Sequence, residues 1–465
     1  MTPVALSQNR PPVIPLRYAE DYAYLSDPAR RTEALDSIKF IRLGRGESLS
    51  YLSLGGEVRQ MYERFENPDG GVRQWVPLRV MAHADVRLRE NRWRLFGQLA
   101  SATLLNDEQP RPIDVDRLFV LNLFAEARLA GFDEGDDAGG ELRLRAGRIE
   151  LNYGAARLIT IREGPNARHY WDGGQLMLTR GDWRIDALAV TYGVTAPGVF
   201  DDEAFRGEEW LWGVYATRER RREGGGSRTL DVYYLGLDDD ARAFFHFDGE
   251  ETRHTGGVRV AGQAGALYYD YEIIGQLGTA GTQDIRAFGL GTRTEYALRP
   301  APKPGQPGGL ADAGLTVGLK ADYWSGDRDS TDNALNNFNA LYPRQGYYRG
   351  AAQLYPSNFA DVSVYAEAAL SRGITVSTGY TRYWRTSVSD GVYIGGVGRP
   401  VLAPRPTADS PVLGGQLDFT AGLTIRRHFS IRAQYSRFYA AGFVEASPNP
   451  QEVRHFFNVI AGYRI

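Results

Sequence analysis

The stretch VPLRVMAHADVRLREN, Val76 to Asn91, alternates with a period of two over more residues than a soluble strand usually has. Leu78, Val80, Ala82, Ala84, Val86 and Leu88 share one parity. Arg79, His83, Asp85, Arg87 and Arg89 share the other, with Met81 the single apolar member of that set. Successive side chains of a strand point to opposite faces. One face this apolar and the other this charged suits a wall between two solvents, hydrocarbon outside and water within.

The pattern recurs to the end of the chain. Period-2 segments read at about 51–65, 76–90, 92–104, 115–130, 141–151, 173–180, 182–194, 208–218, 228–237, 253–261, 265–277, 283–297, 314–323, 357–371, 373–386, 412–425, 428–439 and 453–465. That makes eighteen, an even number, and several reach the ten residues a tilted strand needs to cross a bilayer. In 412–425, Leu413, Leu417, Phe419, Ala421, Leu423 and Ile425 oppose Gln416, Asp418, Thr420 and Thr424. In 265–277, Leu267, Tyr269, Tyr271, Ile273 and Leu277 oppose Asp270, Glu272 and Gln276. The parity of 283–297 reads as changing near Ala287. Helical periodicity is confined to 28–39.

Connections alternate in length. Glu90–Arg92, Gly181, Gly262–Ala264, Ser371–Arg372 and Arg426–Arg427 read as tight turns; 105–114, 152–172, 195–207, 238–252, 324–356, 387–411 and 440–452 read as long loops. Two connections on the short side, 219–227 and the Pro/Gly-rich 298–312, are longer than expected. No fixed repeat period points to a propeller or solenoid. The expected fold is all-β: a single transmembrane antiparallel β-barrel of about 18 strands over 46–465, with short periplasmic turns and long extracellular loops. Residues 1–45 form an N-terminal segment that lies in the periplasm or plugs the periplasmic mouth.

Composition narrows the chemistry. The 465 residues include no cysteine, which excludes disulfides, thiolate metal sites and Cys nucleophiles. A net charge of −3 gives no basis for a nucleic-acid partner. No apolar run approaches the length of a membrane-crossing helix. The start, MTPVALSQNRPPVIP, has no charged region followed by an apolar one, so the signal peptide of an exported protein is expected to be missing from this chain. Of 54 basic residues only Lys39, Lys303 and Lys320 are lysines. The positive charges are therefore guanidinium forks, matched to carboxylate and phosphate. Six scattered histidines show no ligand spacing and no triad-like neighbours. The carboxylate pair Asp270 and Glu272 is what alternation alone produces on one face. DYWSGDRDSTDN (322–333) has the wrong register for a Ca²⁺ loop and lacks its terminal Glu, and reads as an Asx-rich turn. The same holds for DDEAF (201–205) and LDDDAR (237–242). No catalysis, cofactor or metal is expected.

Several stretches carry a resemblance: YLSLGGEVRQMYE (51–63), LRAGRIELNYGAARLITIREGPNARHYWDG (144–173), RHTGGVRVAG (253–262), YDYEIIGQLG (269–278), and KADYWSGDRD followed by FNALYPRQGYYRG (320–350). In combination they resemble the alginate export family of bacterial outer-membrane β-barrel porins. The resemblance implies an eighteen-stranded barrel and passive export of an anionic polysaccharide through an arginine-lined constriction. The last strand, RHFFNVIAGYRI, resembles the C-terminal signal strand of such barrels, with Ile465 in place of the usual aromatic.

Parity places Arg59, Arg79, Arg87, Arg89, Arg128, Arg143, Arg145, Arg184, Arg259, Lys320, Arg385 and Arg432 in the lumen. The acids placed there are Glu57, Asp85, Glu126, Asp186, Asp270, Glu272, Asp322, Glu367 and Asp418. Each lumen arginine has two readings: pairing with an acid on a facing strand, which stiffens the wall, or contact with a passing carboxylate. The loop 152–172, with Arg157, Arg162, Arg168, Gly154 and Gly164, is either an ordinary exposed loop or a constriction folded into the mouth. The function expected is a Gram-negative outer-membrane channel, monomeric, for an anionic polysaccharide such as a polyuronate. The alternatives are a general or small-anion porin, and a barrel acting as adhesin or assembly scaffold through the long loops 324–356 and 387–411. Expected partners are outer-membrane lipid and lipopolysaccharide, the anionic polymer or another acidic solute, and periplasmic secretion-complex proteins.

Overall fold

The computed structural model describes residues 13–465 apart from 47, 68, 107, 112, 133–138, 222–225, 301–312, 330, 345–353, 371–372, 394–401, 404–408 and 447–453. Among the described residues, eighteen strands form the barrel wall. They are β1 (Tyr51–Glu66), β2 (Pro77–Leu88), β3 (Trp93–Leu104), β4 (Asp116–Phe132), β5 (Gly140–Ile149), β6 (Trp171–Arg180), β7 (Trp183–Tyr192), β8 (Glu209–Arg221) and β9 (Ser227–Phe244). The second half comprises β10 (Phe247–Ala264), β11 (Leu267–Ala280), β12 (Gln283–Arg299), β13 (Gly314–Trp324), β14 (Phe359–Leu370), β15 (Ile374–Trp384), β16 (Val412–Ile425), β17 (Phe429–Ala440) and β18 (His455–Arg464). Each pairs antiparallel with its neighbours, and β1 pairs with β18 from Glu57↔Arg464 to Glu66↔His455, which closes the sheet.

The opening alternation holds in space. Along β2, Arg79, Met81, His83, Asp85 and Arg87 are buried inside, while Val80, Ala82 and Leu88 face out. The outward faces of the other strands carry Val58, Leu95, Leu123, Val258, Ile273, Leu319, Val364 and Phe457, all exposed, as a lipid-facing band requires. In β12 parity never changes: Ile285, Ala287, Gly289 and Gly291 all face inward. The reading of a switch near Ala287 fails because small residues occupy that inner face. A side chain at Gly289 would strike Trp324 and Phe338, and one at Gly291 would come within 2.4 Å of Arg157. Leu413 is the opposite case. A register shift opposite Tyr383/Trp384, beside Gly414 at φ +148°, turns it inward, where it is fully buried.

Two connections are shorter than the spacing suggests. The 238–252 segment is not a long loop: β9 and β10 extend through it to a turn at Phe244–Phe247. Gly262–Ala264 is not the turn either, since β10 continues to Ala264 and β11 starts at Leu267. The Ser371–Arg372 turn, most of 298–312 and much of 219–227 lie outside the described residues.

Three segments fill one side of the lumen. From the end of the short turns, 13–40 packs against the inner wall. Tyr18 packs edge-on against Phe96 and Phe124 and donates to the carbonyl of Glu150. Arg87 binds Asp21, Lys39 donates to the carbonyl oxygen of Ile465, and Arg427 reaches Glu33. From the other end, the β5–β6 loop and the β13–β14 loop fold inward and meet: Tyr342 N–H donates to Leu158 O and Arg344 N–H to Ala156 O. Met81 is part of this packing, buried with Ala100, Phe119, Leu121 and Tyr170. Position 81 is therefore packed rather than open to water, and a charge there is not tolerated as a bare lumen position would tolerate it.

Arginine at Ala82, on the lipid face, is expected to cost about 2–4 kcal/mol near the midplane. Arginine at Gln434, on the open inner wall, should cost far less. Urea unfolding of the refolded barrel in lipid, read by Trp fluorescence, compares the two.

Candidate functional site

The inward β5–β6 loop is tied to the wall by the arginines the sequence singled out. Arg157, fully buried, donates from Nη1 to Asp270 (2.9 Å) and Glu272 (2.8 Å) on β11. Tyr233 donates to the same Glu272, and Arg259 bridges Asp270 and Asp231. Tyr153 stacks on Tyr215, which stacks on Tyr233. Gly154 makes the turn between them at φ +54°, where a Cβ would lie 2.6 Å from the Tyr215 hydroxyl. At the loop's far end Arg168 pairs with Glu150 and Glu163, and Arg79 pairs with Glu57 and Glu163. Arg59 donates to the carbonyls of Glu163, Gly164 and Pro165 and so clamps the loop by its backbone.

Most of the wall cations are likewise committed. Arg87 and Arg94 share Asp85; Arg143 and Arg145 share Glu126; Arg184 binds Asp186; Lys320 binds Asp322 and Asp361. Asp418 accepts from Gln416 and Ser436 instead of a cation. Two assignments move. Arg89 is not in the lumen: it sits exposed in the tight turn at φ 52°, its amide bonded to Ser50 Oγ. Arg385 lies past the end of β15, where it binds the carbonyls of Val388, Asp390 and Ser410 and covers the Phe443 ring. Arg128 is half-buried at the short-turn end of β4. In 322–333 the acids cap turns, Asp329 to Thr331 and Asp332 to Ala334.

What stays open is a cavity of about 1330 Å³ on the β12–β18 and β1 side. Among the described residues, nine cationic side chains line it (Arg59, Arg111, Arg162, Arg242, Arg293, Lys320, Arg344, Arg432 and Arg464) with seven carboxylates (Glu57, Glu63, Glu163, Glu209, Asp239, Glu367 and Asp418), and three of the cations also pair with acids just behind the lining: Arg111 with Asp114, Arg293 with Glu295, and Lys320 with Asp322 and Asp361. Hydroxyls and amides fill the remaining polar wall: Thr375, Ser377, Thr420, Ser430, Gln434 and Asn458. His169, also on the lining, is held neutral because burial keeps it well below the ordinary imidazole range. Of the predicted lumen and loop cations, Arg59, Lys320, Arg162 and Arg432 reach this cavity, while Arg79, Arg87, Arg143, Arg145, Arg157, Arg168, Arg184 and Arg259 pair with acids elsewhere in the barrel. Parity shows Arg464 and Arg293 as inward positions once the strands are in register. Arg242 lay hidden in a segment read as loop, and Arg111 and Arg344 sit on loops with no sequence signal.

Arg162 differs from its neighbours. It stands on the inward loop at φ 52°, and among the described residues its guanidinium has neither an acidic partner nor a hydrogen bond for Nε. Burial pulls its pKa down from the ordinary guanidinium value.

Breaking a buried ion pair by removing one partner costs about 3–5 kcal/mol. Arg157→Gln is therefore expected to lower the temperature at which the barrel loses its compact gel mobility, and to add flicker to its single-channel current as the inward loop loosens. A quiet, unshifted channel would show the loop is held by other contacts.

Solved barrels share this architecture. The outer membrane protein OpdK of Pseudomonas aeruginosa superposes with a TM-score of 0.57 at 10% identity, over 89% of this chain and 98% of that one. OccK2 (OpdF) of the same organism, solved in complex with glucuronate, gives 0.51 at 12% identity, over 89% and 98%. Acinetobacter baumannii OccAB1 gives 0.56 at 11% identity, over 92% and 99%. These likenesses show the fold of an outer-membrane porin. No individually curated protein matches the sequence. The family model described as alginate export matches residues 50–458. The protein is an outer-membrane barrel channel, and the chain belongs to the alginate export family.

Proposed function

We propose that the channel passes an anionic polysaccharide, an alginate-like polyuronate, by diffusion along the β12–β18 side of the lumen. The observation that carries this reading is Arg162, which lines the open cavity from the inward loop with no acidic partner among the described residues. A polyuronate brings one carboxylate per sugar. Spaced cations whose charge is shared with fixed wall acids attract such a chain without trapping it, because conduction needs favourable entry and easy exit. The hydroxyl and amide wall suits sugar hydroxyls. Family membership points the same way, and one barrel of similar fold is described in complex with glucuronate, a single uronate. We read segment 13–40 as a plug across the periplasmic mouth, since it packs against both the β2–β3 wall and the Arg427 turn.

A small-anion porin is the competing reading of the same cavity. The adhesin reading is weakened by the 324–356 loop, offered as a partner-binding arm: its stretch 337–342 is buried inside.

Planar-bilayer recording separates these. Polyuronate is expected to block an anion-selective current, and neutral dextran of equal length is not. Arg162→Glu should weaken the block by about tenfold, the worth of roughly 1.4 kcal/mol, while Arg87→Gln, on the filled side, should leave it unchanged. Block by monomeric uronate but not polymer supports the small-anion channel; cation selectivity overturns both.

A further inference from the structure

At the extracellular end of β4, Asp116 is completely buried and neither of its carboxylate oxygens has a hydrogen-bond partner. A carboxylate in that state carries its full desolvation cost with nothing to offset it. It is not isolated. Asp201 and Asp202, on the β7–β8 loop, each bring a carboxylate oxygen to the same spot, and the three ligand atoms lie within 4.8 Å of one another. Asp202 is oriented by Ala196 N–H (2.7 Å) and the Tyr170 hydroxyl (2.8 Å), and Asp201 by Gly198 N–H (3.0 Å). Among the described residues, the cation paired with these acids is Arg148, 3.8 Å from Asp202 and already bound through both its Nε and Nη2 to Asp172. Three acids therefore converge on one long, shared guanidinium contact.

We propose that Asp116, Asp201 and Asp202 hold a divalent cation, Ca²⁺, that pins the β7–β8 loop to the barrel rim. The donors are all hard carboxylate oxygens, with no imidazole or thiolate, which selects Ca²⁺ or Mg²⁺ over transition metals. Calcium takes 6–8 oxygens in irregular geometry, and three carboxylates plus water or backbone carbonyls meet that need; Mg²⁺ demands a near-perfect octahedron. The site is built for rigidity as well. Arg117 and Leu118 donate to the carbonyl of Gly198, and Phe200, at φ 52°, donates back to Leu118. Loop and strand are thus in fixed register around the acids. Through Tyr170, which donates to Asp202, the site is tied to the end of the inward β5–β6 loop and steadies it.

The test uses the full chain refolded in detergent without lipopolysaccharide, which binds Ca²⁺ itself. Tb³⁺ is the probe, sensitised by Tyr170. The expected result is a saturable 1:1 luminescence signal displaced by Ca²⁺, and an unfolding temperature that rises with CaCl₂ and falls with chelator. Both responses vanish in Asp116→Asn, and Tb³⁺ affinity drops at least tenfold in Asp201→Asn, whose exposed loop position leaves folding intact. Asp329→Asn, in the 322–333 turn, changes neither. No saturable Tb³⁺ signal, or a signal that survives both substitutions, overturns the site and leaves Asp116 a protonated buried acid.

Discussion

Pairing of Tyr51–Glu66 with His455–Arg464 leaves no strand edge in the hydrocarbon, where an unsatisfied backbone group costs several kcal/mol. Closure fixes everything downstream. With every strand paired on both sides, each residue has only two places to go, and parity decides which. An apolar residue on the lipid side needs no partner. A charged one on the inner side must find an acid, a carbonyl or water. The distribution of charge in the lumen follows from that choice repeated along eighteen strands.

The inner wall answers it mainly by pairing. Asp85 serves Arg87 and Arg94, Glu126 serves Arg143 and Arg145, and Asp270 serves Arg157 and Arg259. A buried pair adds little net stability over apolar packing, yet losing one partner is costly. Such pairs therefore specify geometry more than they strengthen the barrel. Here they hold the inward loop on one side of the lumen and leave the other side open. Gly291 belongs to the same device: the absent side chain on β12 is the space Arg157 occupies.

The wall was legible because alternation is a local property of the chain. All eighteen strands, and the inward placement of Arg79, Arg87, Arg145 and Arg259, follow from counting by twos. What escaped was set by contacts between distant residues. Leu413 flips at a register shift that no local pattern marks. The glycines and alanine of β12 blur parity because partners from elsewhere, Trp324, Phe338 and Arg157, supply the bulk. The inward path of the β5–β6 loop was one of two open readings, and its anchors lie about a hundred residues away at Asp270 and Glu272. The DDEAF stretch looked like any acidic loop because the third acid, Asp116, is remote in sequence.

Wall and loop cations meet their acids in different ways. Most wall arginines pair with neighbours that closure forces beside them. A loop folded into the lumen is free of that register. It brings Arg162 to the open cavity with no acidic partner among the described residues. The unpaired charge is costly to bury, and the ties at Arg157, Arg168 and Arg59 offset that cost by fixing the loop on both flanks. Strong pairs at the two ends of the loop are what allow an unpaired cation between them.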